Sequence, residues 1–474
     1  MKGMTFQFAT GNGVNVMSYS HHFANSHALS DSQVEVARKY LRYDLQLDPA
    51  NQALIVPDLT PTMTITHKRT HLGNWNMRDV GYRMDFDGDG RRDFGWWMPP
   101  TTISAQGTVT VLLSSKGFSQ AAGQYLSTSF GWLGDYPVPT DMNADGKADL
   151  AFFQPGGGFY RNDPVSTQAY WRWCPTATPA ESTNCSSTLN TVWWGQRSHI
   201  PLPGLDFDGS ASTPEVTTYD PHVATFYWNY TTGGWFNSRI LGGAGAMPLP
   251  GLYDNDYKTD LATYDPQLAR FTLLRSDQSW NTTLTRNFPS QYAPNGAGAS
   301  TTDRASGIPL AGVNRRQGFG TYPWNWFEPR RAFALYYPAD GSWANMWDPI
   351  NSSTISYCGL GAGYLDMPIT NIDRDGDMYT DIAFYRGDGF VSGGGWLQFQ
   401  TRPAGSCGSG YSVSTAILKR PRHRVFAVSD MTGDGKSDIV IVDPEYSFFC
   451  WATSESDYNT LDCRGAGHQG AVIF

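Results

Sequence analysis

Short runs of apolar and aromatic residues, each followed by turn residues, recur along most of the chain. Seven of these runs resemble one another and often end in proline, namely FGWWMP, LAFFQP, VTTYDP, LATYDP, AFALYYP, IAFYRG and IVIVDP. Strand-like phrases such as PVPTD come before them, and aromatic strands such as YWRW and TVWWG come after them. Proline suits a strand end because it lacks the N–H that a ladder needs. Four short strands in each repeat predict an all-β fold, a β-propeller of four-stranded blades.

The number of blades follows from counting these second strands. Leu54–Pro57 (LIVP) is an eighth candidate at the start of the series. The C-terminal stretch Gly470–Phe474 resembles a first strand, and we expect it to complete that opening blade, which would leave no open sheet edge. Eight blades are favoured, and a seven-bladed ring with Leu54–Pro57 outside it is the alternative. The propeller is expected to span residues 48–474.

The composition supports an all-β protein and argues against other classes. The chain contains 50 glycines and 29 prolines, and both residue types disfavour a helical bundle. Its aromatic content of 14% provides ample surface to bury, which argues against disorder. The net charge of −9 argues against a nucleic-acid-binding protein, which needs a basic face. No apolar run reaches the roughly 18 residues of a transmembrane helix, so no membrane insertion is expected.

An aspartate-rich segment precedes five of the second strands. Its fullest copy is Asp85–Asp93, with the pattern Asp-x-Asp-x-Asp-Gly-x-x-Asp. Side chains at positions 1, 3, 5 and 9 and the carbonyl at position 7 can converge on one point, and glycine at position 6 permits the sharp turn. An all-oxygen ligand set favours Ca²⁺. The candidate ligands are Asp85, Asp87, Asp89 and Asp93; Asp141, Asn143, Asp145 and Asp149; Asp254, Asp256 and Asp260; Asp373, Asp375, Asp377 and Asp381; and Asp430, Thr432, Asp434 and Asp438.

A metal-free turn is the alternative for any single loop. Repeated clusters of carboxylates would repel one another without a cation, which favours metal across the set. We therefore expect four to five structural Ca²⁺ sites, the strongest at Asp85–Asp93 and Asp373–Asp381, which each have four carboxylates. Degenerate copies of the segment lie at Asp206–Glu215 and Gly312–Arg331. The second has lost its acids and is expected to bind no metal.

The loops and their flanking strands resemble the FG-GAP/VCBS repeat family, the integrin-type calcium-binding β-propellers. The resemblance extends over roughly residues 50–474 and implies that the candidate ligands above bind Ca²⁺. Leu252 stands at position 1 of its loop and departs from the family pattern. The Asp254–Asp260 site is accordingly the most marginal of the five.

Two cysteine pairs flank predicted hairpins in different repeats. Facing Cα atoms of neighbouring antiparallel strands lie about 5.5 Å apart, which is within disulfide range. We therefore predict a bond between Cys174 and Cys185 and another between Cys450 and Cys463. The first cysteine of each pair is placed in a third strand and the second in a fourth strand.

The cysteines also indicate an oxidising compartment, and hence a secreted or cell-surface protein. Cys358 and Cys407 occupy fourth-strand positions of successive blades, and a bond between these blades is left open. The N-terminus contains no apolar core of a signal peptide. We therefore expect this chain to be the C-terminal part of a longer precursor that carries the export signal.

Residues 1–47 do not follow the blade pattern. Ser30 and Gln33 form a capping box that predicts a helix over about residues 30–42. The NVMSY segment and this helix resemble the Met-turn and last helix of metzincin zinc peptidases, in which Met17 would be the Met-turn methionine. An ordinary turn and surface helix is the alternative. The sequence contains no HExxH motif, so no peptidase activity is expected from this chain alone.

Three functions fit these observations. The first is a non-catalytic, extracellular binding module for a glycan or a protein. The second is the C-terminal accessory part of a secreted zinc metallopeptidase, and the third is a structural subunit of a surface assembly, with a homo-oligomer possible. Paired aromatic residues such as Trp193 and Trp194 could stack on sugar rings, although packing between blades explains most such pairs.

Overall fold

The computed structural model places the chain from residue 84 to residue 473, with gaps. The described residues are 84–89, 91–102, 104–155, 168–176, 185, 189–209, 215–230, 236–254, 256, 258–265, 268–288, 308–310, 314–319, 326–337, 342–359, 367–369, 372–375, 380–386, 395–400, 412–418, 424–434, 436–443, 448–465 and 471–473. The predicted helix at about residues 30–42, Met17 and Leu54–Pro57 lie outside this set. The predicted domain boundary near residue 47 also lies outside it and stays a prediction.

The described residues form seven four-stranded antiparallel sheets, each a blade. The blades, with their strands from first to fourth, are: blade 1, Val472–Ile473, Phe94–Met98, Gln106–Leu112 and Tyr125–Trp132; blade 2, Tyr136–Pro137, Leu150–Gln154, Gln168–Cys174 and Asn190–Gln196; blade 3, Ile200–Pro201, Glu215–Asp220, Thr225–Tyr230 and Asn237–Ile240; blade 4, Met247–Pro248, Leu261–Asp265, Arg270–Leu274 and Thr283–Asn287; blade 5, Ile308–Pro309, Phe333–Tyr337, Ser342–Met346 and Ser356–Gly359; blade 6, Met367–Ile369, Ile382–Arg386, Gly395–Gln400 and Ser412–Leu418; blade 7, Arg424–Ser429, Asp438–Asp443, Phe448–Ala452 and Asp462–Gly465. The predicted all-β propeller fold is therefore confirmed.

Burial decreases from the second to the fourth strand of a blade. Every residue of Leu150–Gln154 and of Phe333–Tyr337 is buried, whereas every residue of Asp462–Gly465 is exposed. Neighbouring blades cover both faces of a second strand, which explains why these strands are continuous apolar runs without alternation. Aromatic rings fill the space between blades, as in the stacking of Phe94 on Phe449 with centroids 3.7 Å apart.

The C-terminal strand closes the series of blades, but its partner differs from the prediction. Val472 and Ile473 pair with Trp97 and Trp96 in the second strand of blade 1. The expected pairing with Leu54–Pro57 is wrong. The C-terminal strand instead takes the first-strand position beside Phe94–Met98, the strand with the sequence FGWWM. This pairing corresponds to the seven-bladed alternative.

Backbone hydrogen bonds join the loops of consecutive blades in a repeated way. We number each loop from position 1, which is Asp85 in blade 1, to position 9. The N–H at position 8 donates to the carbonyl at position 1 of the preceding blade. The described donor–acceptor pairs are Ala148 to Asp85 at 2.7 Å, Thr259 to Asp206 at 2.5 Å, Arg331 to Leu252 at 2.8 Å, Ser437 to Asp373 at 2.7 Å and Arg92 to Asp430 at 3.4 Å. The last bond connects blade 7 directly to blade 1.

Both predicted hairpin disulfides are present. The Cα atoms are 5.3 Å apart in Cys174–Cys185 and 4.0 Å apart in Cys450–Cys463. Cys185 was expected in a fourth strand, and this position is wrong. It lies in the connection that precedes the fourth strand of blade 2. Cys358 lies in the fourth strand of blade 5 as expected, and Cys407 is outside the described residues.

Blade 5 differs from the others between its first two strands. A two-stranded ribbon of Asn314–Phe319 and Trp326–Arg331 takes the place of the aspartate-rich loop. Single 3₁₀ turns follow the third strands of blades 1, 4 and 7, at Ser114–Lys116, Ser276–Gln278 and Ser454–Ser456. Within the described part of the chain there is no helix with the length and apolar character needed to cross a bilayer.

Candidate metal centres

The aspartate-rich loops lie ahead of the second strands, and among the described residues the carboxylates of two of them, in blades 1 and 6, come together. In blade 1, one oxygen each from Asp85, Asp87 and Asp89 lies within 4.8 Å of the others. In blade 6, the same holds for Asp373, Asp375 and Asp381, while Asp377 is outside the described residues. These are the two loops that the sequence ranks first.

The carboxylate at position 1 shapes the loop. Oδ1 of Asp85 accepts the N–H of Gly88 at 2.6 Å and that of Asp89 at 3.1 Å. Asp141 and Asp430 make the equivalent bond to the residue at position 4, at 2.6 and 2.5 Å. Position 4 consequently has a positive φ, +80° in Gly88 and +64° in Ala144. The aspartate pattern predicts a sharp turn only at position 6, where glycine recurs.

The aspartate at position 9 is buried, and its carboxylate accepts backbone N–H groups that hold the loop in place. Oδ2 of Asp93 accepts the N–H of Phe86 at 2.7 Å, and Oδ1 accepts the N–H of Ser114 at 2.7 Å. Its carboxylate thus ties the loop to the residue that follows the third strand. The equivalent donors are Met142 and Thr176 to Asp149, Tyr253 and Ser276 to Asp260, Met431 and Ser454 to Asp438, and Arg374 to Asp381.

Serine hydroxyls after the third strands contact the carboxylates at position 5 and were missed by the sequence analysis. Ser114 Oγ lies 3.1 Å from Asp89 Oδ2, and Ser276 Oγ lies 2.8 Å from Asp256 Oδ2. In blade 7, Ser454 Oγ lies 2.7 Å from Asp434. The signal was a serine that recurs shortly after each of these third strands, in LLSS, LLRS and WATS.

Blades 4 and 7 hold variants of this arrangement. In blade 4, Arg275 Nε lies 3.4 Å from Asp254 Oδ2, so a guanidinium partly offsets the negative charge of that loop. This contact gives a physical reason for treating the Asp254–Asp260 site as the most marginal. In blade 7, position 3 is Thr432, whose Oγ1 is buried and has no hydrogen-bond partner among the described residues.

Basic side chains at position 7 lie over the loop of the preceding blade. A Cβ built on Gly88 would lie 3.3 Å from Lys147 Cε, and one built on Gly433 would lie 2.9 Å from Arg91 Nε. Glycine at position 4 thus leaves room for the basic side chain of the next blade. Each loop is therefore held by its own backbone and by its neighbour.

Burial makes the loop carboxylates hard to ionise without a compensating cation. Desolvation is the main cause that raises the pKa of Asp93 well above its usual value, and the nearby Asp87 and Asp85 add to it. The same cause raises the pKa of Asp149 to about 7 and that of Asp254 to about 8. A bound cation would offset both the desolvation and the mutual repulsion. The oxygen-only donor set fits Ca²⁺.

A further acidic cluster lies in blade 3, where the sequence analysis identified only a degenerate loop. Asp206, Asp208 and Glu215 each place one oxygen within 4.8 Å of the others. Phe207 donates its N–H to Glu215 Oε1 at 3.2 Å, so Glu215 replaces the position-9 aspartate. Five residues separate Gly209 from Glu215, one more than separate positions 4 and 9 of the other loops, so the similarity is not visible in the linear sequence.

Two exposed aromatic residues lie at the outer strands of blades 2 and 3: Trp193 is within Asn190–Gln196, and Phe236 immediately precedes Asn237–Ile240. Trp193 is 45% exposed and lies 4.9 Å from Tyr170 between ring centroids, and Phe236 is 66% exposed. The Arg172 guanidinium packs over Tyr170 and over Trp132 of blade 1, at 4.5 and 4.1 Å from the ring centroids. In contrast, Trp96 and Trp97 are buried between blades, as the packing alternative for such pairs requires.

Comparison with known proteins bears on the first two loops. Residues 85–152 match the FG-GAP-like repeat, a span that contains the loops of blades 1 and 2 and the second strand of blade 1. No curated protein matches the chain. Among solved structures, a catalytically inactive variant of virginiamycin B lyase from Staphylococcus aureus, crystallised with quinupristin, is similar at a TM-score of 0.36 and 11% identity, over 62% of this chain and 79% of that one. Residues 85–152 are thus similar to the FG-GAP-like repeat, and the hydrogen bonds of the two loops in this span recur in blades 4, 6 and 7.

Proposed function

We propose that this protein is an extracellular, calcium-stabilised β-propeller that serves as a non-catalytic binding module. The observation that carries the proposal is the repeated loop, whose position-9 aspartate is buried and whose other carboxylates converge with one another in blade 1 and with position 9 in blade 6. Because position 1 also accepts a hydrogen bond from the next blade, a cation in one loop would stabilise the junction between two blades. The two disulfides support an oxidising, extracellular environment.

Calcium removal tests the structural part of the proposal. A ligand that binds only the native state stabilises it by about 2.7 kcal/mol per site at 100-fold saturation. The melting temperature should therefore fall markedly in EDTA and recover when Ca²⁺ is added. The Asp87→Asn variant should lose part of this calcium-dependent shift. Asp462→Asn is the matched control, since it makes the same chemical change at an exposed residue of blade 7. Identical melting curves with and without EDTA would refute the proposal.

We propose a glycan as the ligand, bound at the exposed aromatic residues of blades 2 and 3. An exposed indole offers an apolar face for a sugar ring. Aromatic rings held by neighbouring side chains also lose little conformational entropy on binding. Trp193 is the side chain that we expect to contribute most, because it is exposed while its position is fixed against Tyr170.

Screening the purified chain on a glycan array tests this part. Binding should be lost in Trp193→Ala and kept in the control Leu268→Ala, which removes another exposed apolar side chain from blade 4. Capture of a protein instead, with no glycan bound, would favour the protein-binding alternative. The accessory role in a zinc peptidase and the structural role in an assembly stay predictions; the mass of the purified chain in solution tests the second.

A further inference from the structure

The acidic loop of blade 3 lacks the motif of the five candidate calcium loops, yet it brings three carboxylates together. One oxygen each from Asp206, Asp208 and Glu215 lies within 4.8 Å of the others. Asp206 and Asp208 are half-buried, whereas Glu215 is only 4% exposed. Glu215 is separated from the two aspartates in sequence, because it is the first residue of the second strand of the blade.

Glu215 provides an observation that is independent of the clustering. Its Oε1 accepts the N–H of Phe207, at 3.2 Å. Its Oε2 is buried and has no hydrogen-bond partner among the described residues. A buried carboxyl oxygen without a partner is costly, and proteins normally satisfy such an oxygen with a donor or a metal ion.

The surroundings of Glu215 supply negative charge where a positive charge is needed. Burial, followed by repulsion from Asp206 and Asp208, raises the pKa of Glu215 to about 8. The Tyr230 hydroxyl hydrogen-bonds to Asp208 and thereby holds that carboxylate in place. Asp206 is tied to blade 4, since its carbonyl accepts the N–H of Thr259 at 2.5 Å.

We propose that the blade 3 loop is an additional Ca²⁺ site, with Asp206, Asp208 and Glu215 as its side-chain ligands. Ca²⁺ takes six to eight oxygen ligands, so backbone carbonyls and water would complete its shell. A glutamate reaches further than an aspartate, which compensates for the longer connection between Gly209 and the second strand. The inference rests on the proposed calcium-binding function and adds to it a site that the aspartate pattern does not predict.

Calcium stoichiometry tests the proposal on the full chain. Isothermal titration calorimetry with CaCl₂ on EDTA-stripped, dialysed protein should show one equivalent less in Glu215→Gln than in the unchanged chain. Glutamine keeps an oxygen for the Phe207 N–H but replaces the free carboxylate oxygen with a neutral amide. Glu455→Gln, an exposed position in blade 7, is the matched control and should keep the full stoichiometry. Equal stoichiometry in all three proteins would overturn the blade 3 site.

Two further measurements separate this inference from the wider function and from misfolding. Asp85→Asn should lower the stoichiometry independently, so the double variant should lose two equivalents; loss in Asp85→Asn alone would keep the wider function and reject the blade 3 site. In EDTA, Glu215→Gln should melt at the same temperature as the unchanged chain or higher, because the glutamine oxygen still accepts the Phe207 N–H and the two aspartates no longer face a third carboxyl group. In CaCl₂ it should melt lower. A variant that melts lower in both conditions would show Glu215 to be only a structural acceptor and would refute the proposal.

Discussion

Removal of the closing strand should destabilise the propeller more than the loss of one buried side chain. Deleting residues 471–474 removes the first strand of blade 1, which pairs with Trp96 and Trp97. Val472 is 8% exposed and packs in the core shared by blades 1 and 2. Its burial contributes about 1.5–3 kcal/mol. Each ladder hydrogen bond adds about 1 kcal/mol, so we expect a loss of about 3–5 kcal/mol.

That loss is a large fraction of the roughly 5–15 kcal/mol by which most domains are stable. The midpoint and slope of urea unfolding, followed by tryptophan fluorescence, give the free energy of unfolding. Val472→Ala is the control, because it reduces the buried apolar surface and keeps the backbone ladder. This substitution reduces the side chain by two carbon groups and should lower the free energy of unfolding by about 1.5 kcal/mol. A deletion no more destabilising than Val472→Ala would show that the ladder contributes nothing and that the closure argument is wrong.

Three other predictions follow from the contacts within and between blades. Gly131→Ala should destabilise the protein by about 1–3 kcal/mol more than Gly123→Ala in urea unfolding. Both positions have a positive φ, but only a Cβ at Gly131 would meet a ring atom of the buried Phe152, at 2.8 Å. Equal losses of stability would count against close packing at Gly131. Burial raises the pKa of Asp135 to about 7, so its contribution to stability is present at low pH and lost as the pH rises through about 7; Asp135→Asn should therefore raise the free energy of unfolding at pH 8 by up to about 4 kcal/mol and not at pH 4, and a pH-independent effect would contradict this cause. Replacing Cys450 and Cys463 by serine should lower the free energy of unfolding in urea by about 2–4 kcal/mol under oxidising conditions. The variant and the unchanged protein should be equally stable once both proteins are reduced.

The sequence by itself determined the features that depend on neighbours along the chain. Apolar runs ended by proline specified four-stranded blades, because strand length and termination are local properties. Hairpin geometry likewise paired Cys174 with Cys185 and Cys450 with Cys463. The aspartate spacing located the loops, since a nine-residue segment places its own carboxylates close together.

Only the tertiary structure decided features that depend on contacts between distant segments. The closing strand could pair with any second strand that lacked a first strand, and the choice of Phe94–Met98 over Leu54–Pro57 depends on how the ring closes. The serine hydroxyls at the position-5 carboxylates come from the turn that follows the third strand and lies against the loop. Glu215 reaches Asp206 across a connection one residue longer than that of the five aspartate loops, so the nine-residue spacing does not include it. These contacts form only when the blades pack, because a local pattern fixes the conformation of a segment but not its neighbours in space.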